Sequence, residues 1–189
     1  MKKRILIAED ESIIRMDIKL MLEDHGYEVV AEAGDGDKAI ELAFFHKPDL
    51  ILMDIKMPKI NGLQASKVIA NQLDLPILII TAYSQKEFVE KAQQDNIVGY
   101  LVKPISEANL MPAVEIALHQ SEKAMRLKKE IHDAKLEVAK RKVIERAKGL
   151  LMQAEEITEP EAFKRLRDSS MSMQMTMESF AKEIILKYK

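Results

Sequence analysis

The chain has 189 residues, 47% of them apolar and 32% charged, with a net charge of −2. That is enough for one domain of about 120 residues plus a smaller module, and too apolar for a disordered chain. With no cysteine there is no disulfide framework, thiolate metal site or cysteine nucleophile, and no apolar run approaches the roughly 20 residues that span a bilayer. The opening MKKRILIAED is cut short by Glu9 and Asp10, so it reads as a first strand rather than a signal peptide. The expectation is a soluble cytoplasmic protein with no membrane partner.

Five short runs rich in Ile, Leu and Val recur at Arg4–Ala8, Tyr27–Ala31, Leu50–Met53, Ile77–Ile80 and Val98–Val102. Apolar residues at helical spacing lie between them: Ile13, Met16, Ile18, Leu20, Met21 and Leu22, and then Ala39, Ile40, Leu42 and Ala43. Strands that are almost continuously apolar and alternate with helices predict a parallel sheet covered on both faces. Right-handed crossovers make it doubly wound, an α/β flavodoxin-like domain, and ligands of such sheets gather at the C-terminal strand ends.

Glu9 and Asp10 follow the first of those ends, Asp54 ends the third strand, Thr81 the fourth, and Lys103-Pro104 follows the fifth. Three carboxylates, a hydroxyl and a lysine suit Mg²⁺ and a phosphoryl group, since Mg²⁺ takes oxygen donors and keeps several waters. A carboxylate nucleophile would form an acyl phosphate whose charge the metal and the lysine offset. Taken singly, Asp54 could cap a loop, Thr81 could be a satisfied hydroxyl and Lys103 a surface charge. Jointly those readings lose.

After Ser106 the pattern changes. From Ala108 to about Met152 the only proline is Pro112 and the only glycine is Gly149, which predicts one helix far longer than the globular mean. Ala117, Ala124, Leu127, Ile131, Ala134 and Val138 follow 3–4 spacing, a coiled-coil seam weakened by its alanines. Beyond it, Thr158-Glu159-Pro160-Glu161 is an N-terminal helix signal, for a helix burying Ala162, Phe163 and Leu166. Thr176 caps a last helix burying Met177, Phe180, Ile184 and Tyr188. Met171, Met173, Met175 and Met177 read as adaptable core filling, and Ala147 and Gly149 as positions of tight helix packing. The expected division is 1–120, 121–140 for the coiled-coil linker, and 141–189 for an all-α three-helix module.

Charge divides along the same line: residues 1–120 carry −6 and residues 121–189 carry +4. Only the rear portion invites a polyanion. Lys140, Arg141, Lys142, Arg146 and Lys148 form one cluster, and Lys164, Arg165 and Arg167 a second. Any one of them alone is more simply a solvated helix face.

Ala8-Glu9-Asp10-Glu11, Leu52-Met53-Asp54-Ile55-Lys56-Met57-Pro58, Asn61-Gly62, Thr81-Ala82 and Tyr100-Leu101-Val102-Lys103-Pro104 resemble the receiver domain of two-component response regulators. The resemblance implies that Asp54 is the phosphoacceptor for a sensor histidine kinase and that Glu9, Asp10, Asp54 and the Lys56 carbonyl hold Mg²⁺. It implies Thr81 and Tyr100 as a switch pair, and Lys103 as the phosphate contact before a cis peptide at Pro104. Ile144-Glu145-Arg146-Ala147-Lys148-Gly149-Leu150-Leu151-Met152, Glu161-Ala162-Phe163, Leu166-Arg167 and Ser169-Ser170-Met171 resemble the ANTAR family of RNA-binding antiterminators, and among these the ethanolamine-utilisation regulators. That implies a phosphorylation-dependent homodimer that binds hairpins in leader RNA and causes transcription antitermination. Arg146, Lys148, Arg165 and Arg167 are the expected RNA contacts. A DNA-binding regulator would need polar base-reading residues at the start of a recognition helix, and Met177–Lys189 is too acidic there. A protein-interaction output stays open, and nothing in the rear portion suggests an enzyme.

Overall fold

The structure is a computed structural model that describes residues 2–82 and 96–188. In chain order the N-terminal unit contains β1 (Arg4–Ala8), α1 (Ser12–Asp24), β2 (Glu28–Ala33), α2 (Gly36–His46), β3 (Leu50–Asp54), α3 (Gly62–Ala70), β4 (Ile77–Thr81) and β5 (Ile97–Val102). A helix α4 (Glu107–Glu155) follows, then α5 (Glu159–Ser172) and α6 (Met177–Lys187). Residue contacts divide the chain into Met1–Ala124 and Met125–Lys189.

The strands form one parallel sheet in the order β2-β1-β3-β4-β5. Alternation along each strand sends side chains to two faces. Ile5, Ile7, Leu50, Leu52, Leu78 and Ile80 meet Ile18 and Leu22 of α1 and Leu110, Val114 and Leu118 of α4. Leu6, Ala8, Ile51, Met53, Ile77 and Ile79 meet α2 and α3 through Ala39, Ala43, Ala65 and Ile69. The small residues on α2 and α3 let both helices lie close to the strands. The strands that read as fully apolar are the ones buried on both faces.

Two local devices start helices on the site-bearing side. Asp35 accepts the Lys38 N–H at 2.8 Å at the start of α2, and Asn61 and Gln64 form a reciprocal capping box at the start of α3. Each satisfies backbone donors that a helix N-terminus leaves unpaired.

In the C-terminal unit the core is Ala147, Leu151, Ala162, Leu166, Phe180, Ala181 and Ile184. The Thr158 N–H and hydroxyl both donate to Glu161, at 2.8 and 2.6 Å, and Thr176 accepts the Ser179 N–H at 3.1 Å. Three expectations fail here. Phe163 is 44% exposed, and Met171 and Met173 are more exposed still, because the buried face of α5 is the narrower stripe Ala162, Leu166 and Ser170. Gly149 is exposed, and a Cβ built on it would meet nothing within 4 Å, so it is not a packing glycine. Along α4, Leu127, Ile131, Leu136 and Val138 are exposed. Among the described residues no helix is long and apolar enough to cross a membrane.

Candidate phosphoacceptor site and output surface

Parallel register explains why residues far apart in sequence converge. Ala8 pairs with Met53, Asp54 with Ile80, and Thr81 with Val102, so Glu9, Asp54, Thr81 and Lys103 arrive at one sheet end. The Lys103 N–H donates to the Thr81 carbonyl at 2.8 Å, which extends the ladder one residue into the site. The Lys103–Pro104 peptide bond is cis.

The Lys103 ammonium lies 2.9 Å from both Glu9 carboxylate oxygens, 3.2 Å from Asp54 Oδ2 and 3.7 Å from Glu11 Oε1. Glu9 is fully buried and Asp54 nearly so, whereas Asp10 is exposed. Burial pushes the Asp54 carboxyl above its ordinary range, against the opposing pull of Lys103. Burial likewise raises Glu9, with the Lys103 hydrogen bond opposing and the Asp54 charge reinforcing. For Lys103, burial lowers the ammonium, but the Glu9 hydrogen bond and the charges of Asp54 and Glu9 outweigh it, and the net shift is upward. One lysine therefore serves two buried carboxylates and neutralises them incompletely.

Oxygens of Glu9, Asp10 and Asp54 lie within 4.8 Å of one another. Glu9 Oε2, although in ionic contact with Lys103, has no hydrogen bond of good geometry. Receiver domains bind Mg²⁺ at an acidic site, and this set of hard oxygen donors with residual negative charge fits that ion. Thr81 is buried at the end of β4. Tyr100 is half-buried, and burial raises its hydroxyl.

Two residues shape the site without having been given a role. Gly62 seats the start of α3 on β3: a Cβ there would fall 1.9 Å from the Asp54 carbonyl oxygen, and the Gly62 N–H donates to Ile55 at 2.9 Å. The motif Asn61-Gly62 was the available signal. Arg15 donates to the Glu9 carbonyl, and nothing in the sequence marks it, since a basic residue on a helix is ordinarily a solvated one.

The expected RNA contacts are not alike. Arg146 is exposed. Arg165 is 3.7 Å from Glu155, and Arg167 is 3.3 Å from Asp168, both with largely solvated side chains. Lys148 is different: it is buried, with its ammonium 2.8 Å from Glu145 and 2.7 Å from Glu159. The hydrogen bonds it donates to those two carboxylates raise it. Its ammonium is engaged in joining α4 to the first turn of α5.

Residues 5–115 match the response regulator receiver domain, and residues 132–185 match the ANTAR domain. The transcriptional regulatory protein PdtaR of Mycobacterium tuberculosis is 45% identical over 184 residues, 97% of this chain and 89% of PdtaR. The chemotaxis protein CheY of Bacillus subtilis is 39% identical over 121 residues, 63% of this chain and all of CheY. Among solved structures, the signal receiver domain of NarL from Mycobacterium tuberculosis superposes with a TM-score of 0.59 at 30% identity, over 62% of this chain and 97% of that domain. These matches and the convergent acidic site place the chain in the response-regulator family, a non-enzymatic regulator with an N-terminal receiver domain and a C-terminal ANTAR domain.

Proposed function

We propose that a sensor histidine kinase phosphorylates Asp54, and that the phosphorylated protein dimerises and binds hairpins in leader RNA to prevent transcription termination. The observation that carries this reading is the meeting of Asp54, Glu9 and Lys103 in a receiver domain joined to an ANTAR domain.

In the transfer step an Asp54 oxygen attacks phosphorus, the P–N bond to the kinase histidine breaks, and an acyl phosphate forms. Glu9, Asp10, Asp54 and the Lys56 carbonyl would hold Mg²⁺, which when bound offsets charge on the transferring group. Lys103 opposes the effect of burial on Asp54 and so favours the ionised carboxylate that attacks. Lys103 then trades part of its contact with the carboxylates for a phosphoryl oxygen. Thr81 follows the new acceptor, and Tyr100 moves with it, which biases a two-state surface.

Exposed Leu127, Ile131 and Val138 on α4 support a dimer seam, and its alanines make it weak enough to be switched. Arg146, Arg165 and Arg167 are the proposed RNA contacts, with Lys148 serving them indirectly by fixing the start of α5. Two tethered heads raise the effective concentration of the second contact. The test is a light-scattering mass with and without beryllofluoride, paired with titrations against one-hairpin RNA, two-hairpin RNA and duplex DNA. A mass increase and preference for two hairpins are expected. Equal affinity for all three would refute RNA recognition, and preference for the duplex would favour a DNA-binding output.

A further inference from the structure

Helix α4 contains a single glycine, Gly149. Glycine is the poorest helix former after proline, and an isolated one inside a helix carries a cost relative to alanine that close packing against a neighbour can explain. Gly149 has no such neighbour: it is exposed, and a Cβ would enter open space. Packing among the described residues of the C-terminal unit therefore does not account for it. A body that approaches the bare backbone from outside would.

The chemistry of the surrounding face indicates what that body is. At 3.6 residues per turn, Lys142, Arg146, Gly149 and Gln153 fall within a band of about 60°, and all four are exposed. Ala147 and Leu151, which enter the core, lie on the opposite side. Among the described residues neither Lys142 nor Arg146 has an ion-pair partner. The nearby acid Glu145 is engaged by Lys148 at 2.8 Å. The cleft beside α5 differs: there Lys164 and Arg165 stand among Glu155, Glu161 and Asp168, and the acids outnumber the cations. A second copy of the helix fits the Gly149 face poorly, because the exposed apolar residues on this side stop at Val138. Two copies packed in parallel would set Lys142 and Arg146 against their own counterparts.

We infer that the Gly149 face of α4 is where an RNA strand lies against the protein. Lys142 and Arg146 neutralise its phosphates, Gln153 offers an amide to a base edge, and the missing side chain allows close backbone approach. This rests on the RNA-binding reading and adds to it a specific face and a residue whose role is the absence of a side chain.

The substitution Gly149→Ala separates stability from binding, since both effects have defined and opposite signs. In the full-length protein it should raise the melting temperature, because alanine is the better helix former. In the phosphorylated protein it should weaken binding to a synthetic two-stem-loop RNA about tenfold, with Gly149→Leu weaker still. The salt dependence should be unchanged by Gly149→Ala, whereas Lys142→Gln and Arg146→Gln should each flatten it by a slope of about 0.7 to 0.9. Wild-type affinity in Gly149→Ala would overturn the inference. So would a fall in light-scattering mass that tracks the loss of affinity, which would assign the glycine to a second copy. Absence of RNA binding by the wild-type phosphorylated protein would instead remove the underlying reading, and this inference with it.

Discussion

The two units handle charge in opposite ways. In the receiver, strand ends draw Glu9 and Asp54 out of water around one lysine, and burial holds both carboxyls above their ordinary range. In the ANTAR unit, Glu159 and Glu161 lie in the first turn of α5 on the surface. The hydrogen bond from Lys148 lowers Glu159, and those from Thr158 lower Glu161. The receiver therefore keeps an acidic site under electrostatic stress, which a cation or a phosphoryl group can relieve. The ANTAR unit uses its paired charges to fasten helices and leaves other cations open. A function-bearing charge is recognised by what it is denied, and a structural one by what it is given.

The strongest test of that contrast is Asp54→Asn. It should abolish phosphorylation by acetyl phosphate, read by phosphate-affinity electrophoresis, while the folded protein stays at least as stable. The ionised carboxylate is disfavoured in the fold, so its removal relieves stress. Persistent labelling would move the acceptor elsewhere.

Next in size is Lys103→Ala, which leaves two buried carboxylates facing each other. It should cost about 2–4 kcal/mol in denaturant unfolding, somewhat below the usual loss for a broken buried pair because solvent reaches the site. Millimolar Mg²⁺ should recover part of it. An unchanged unfolding midpoint would show that Lys103 does not neutralise the site.

In the other unit, Arg165→Gln with Arg167→Gln should change stability by less than about 0.5 kcal/mol, as solvated surface substitutions do. Affinity for two-hairpin RNA should fall and its salt slope should flatten. A large loss of stability instead would give the arginines a structural role like that of Lys148.

The smallest effect is a difference in pH response. Glu161 has a lowered folded-state value, so its contribution is present above the ordinary glutamate value of 4.5 and lost as pH falls through the lower folded value. Glu9 and Asp54 have raised folded-state values. Their penalty is full above the folded values and vanishes as pH falls toward the unfolded ones. Acidification should thus weaken the ANTAR unit while relieving the receiver site, and Glu161→Gln should flatten the acid limb of the ANTAR melting transition. An acid limb identical to wild type would remove the Thr158–Glu161 contact from the stability of α5.

Much of the receiver site was legible from the chain alone. A strand buried on both faces must be continuously apolar, so each strand's end is marked by the first polar residue after it. Glu9, Asp54, Thr81 and Lys103 stand at those marks, and parallel register leaves them little choice but to meet. Helix signals were legible for the same local reason: Thr158 and Thr176 compete for backbone donors within three residues of themselves. Tertiary structure decided what depends on the partner a side chain finds. Lys148 and Arg146 belong to one basic run in the sequence, yet one is buried against Glu145 and Glu159 and the other is exposed. Phe163 sits one residue from the buried stripe of α5 and falls outside it, because a short three-helix core is only wide enough for Ala162, Leu166 and Ser170. Gly149 in sequence is compatible with close packing or with an open face. Only the placement of α5 and α6 shows that, among the described residues, nothing lies within 4 Å of a Cβ built there.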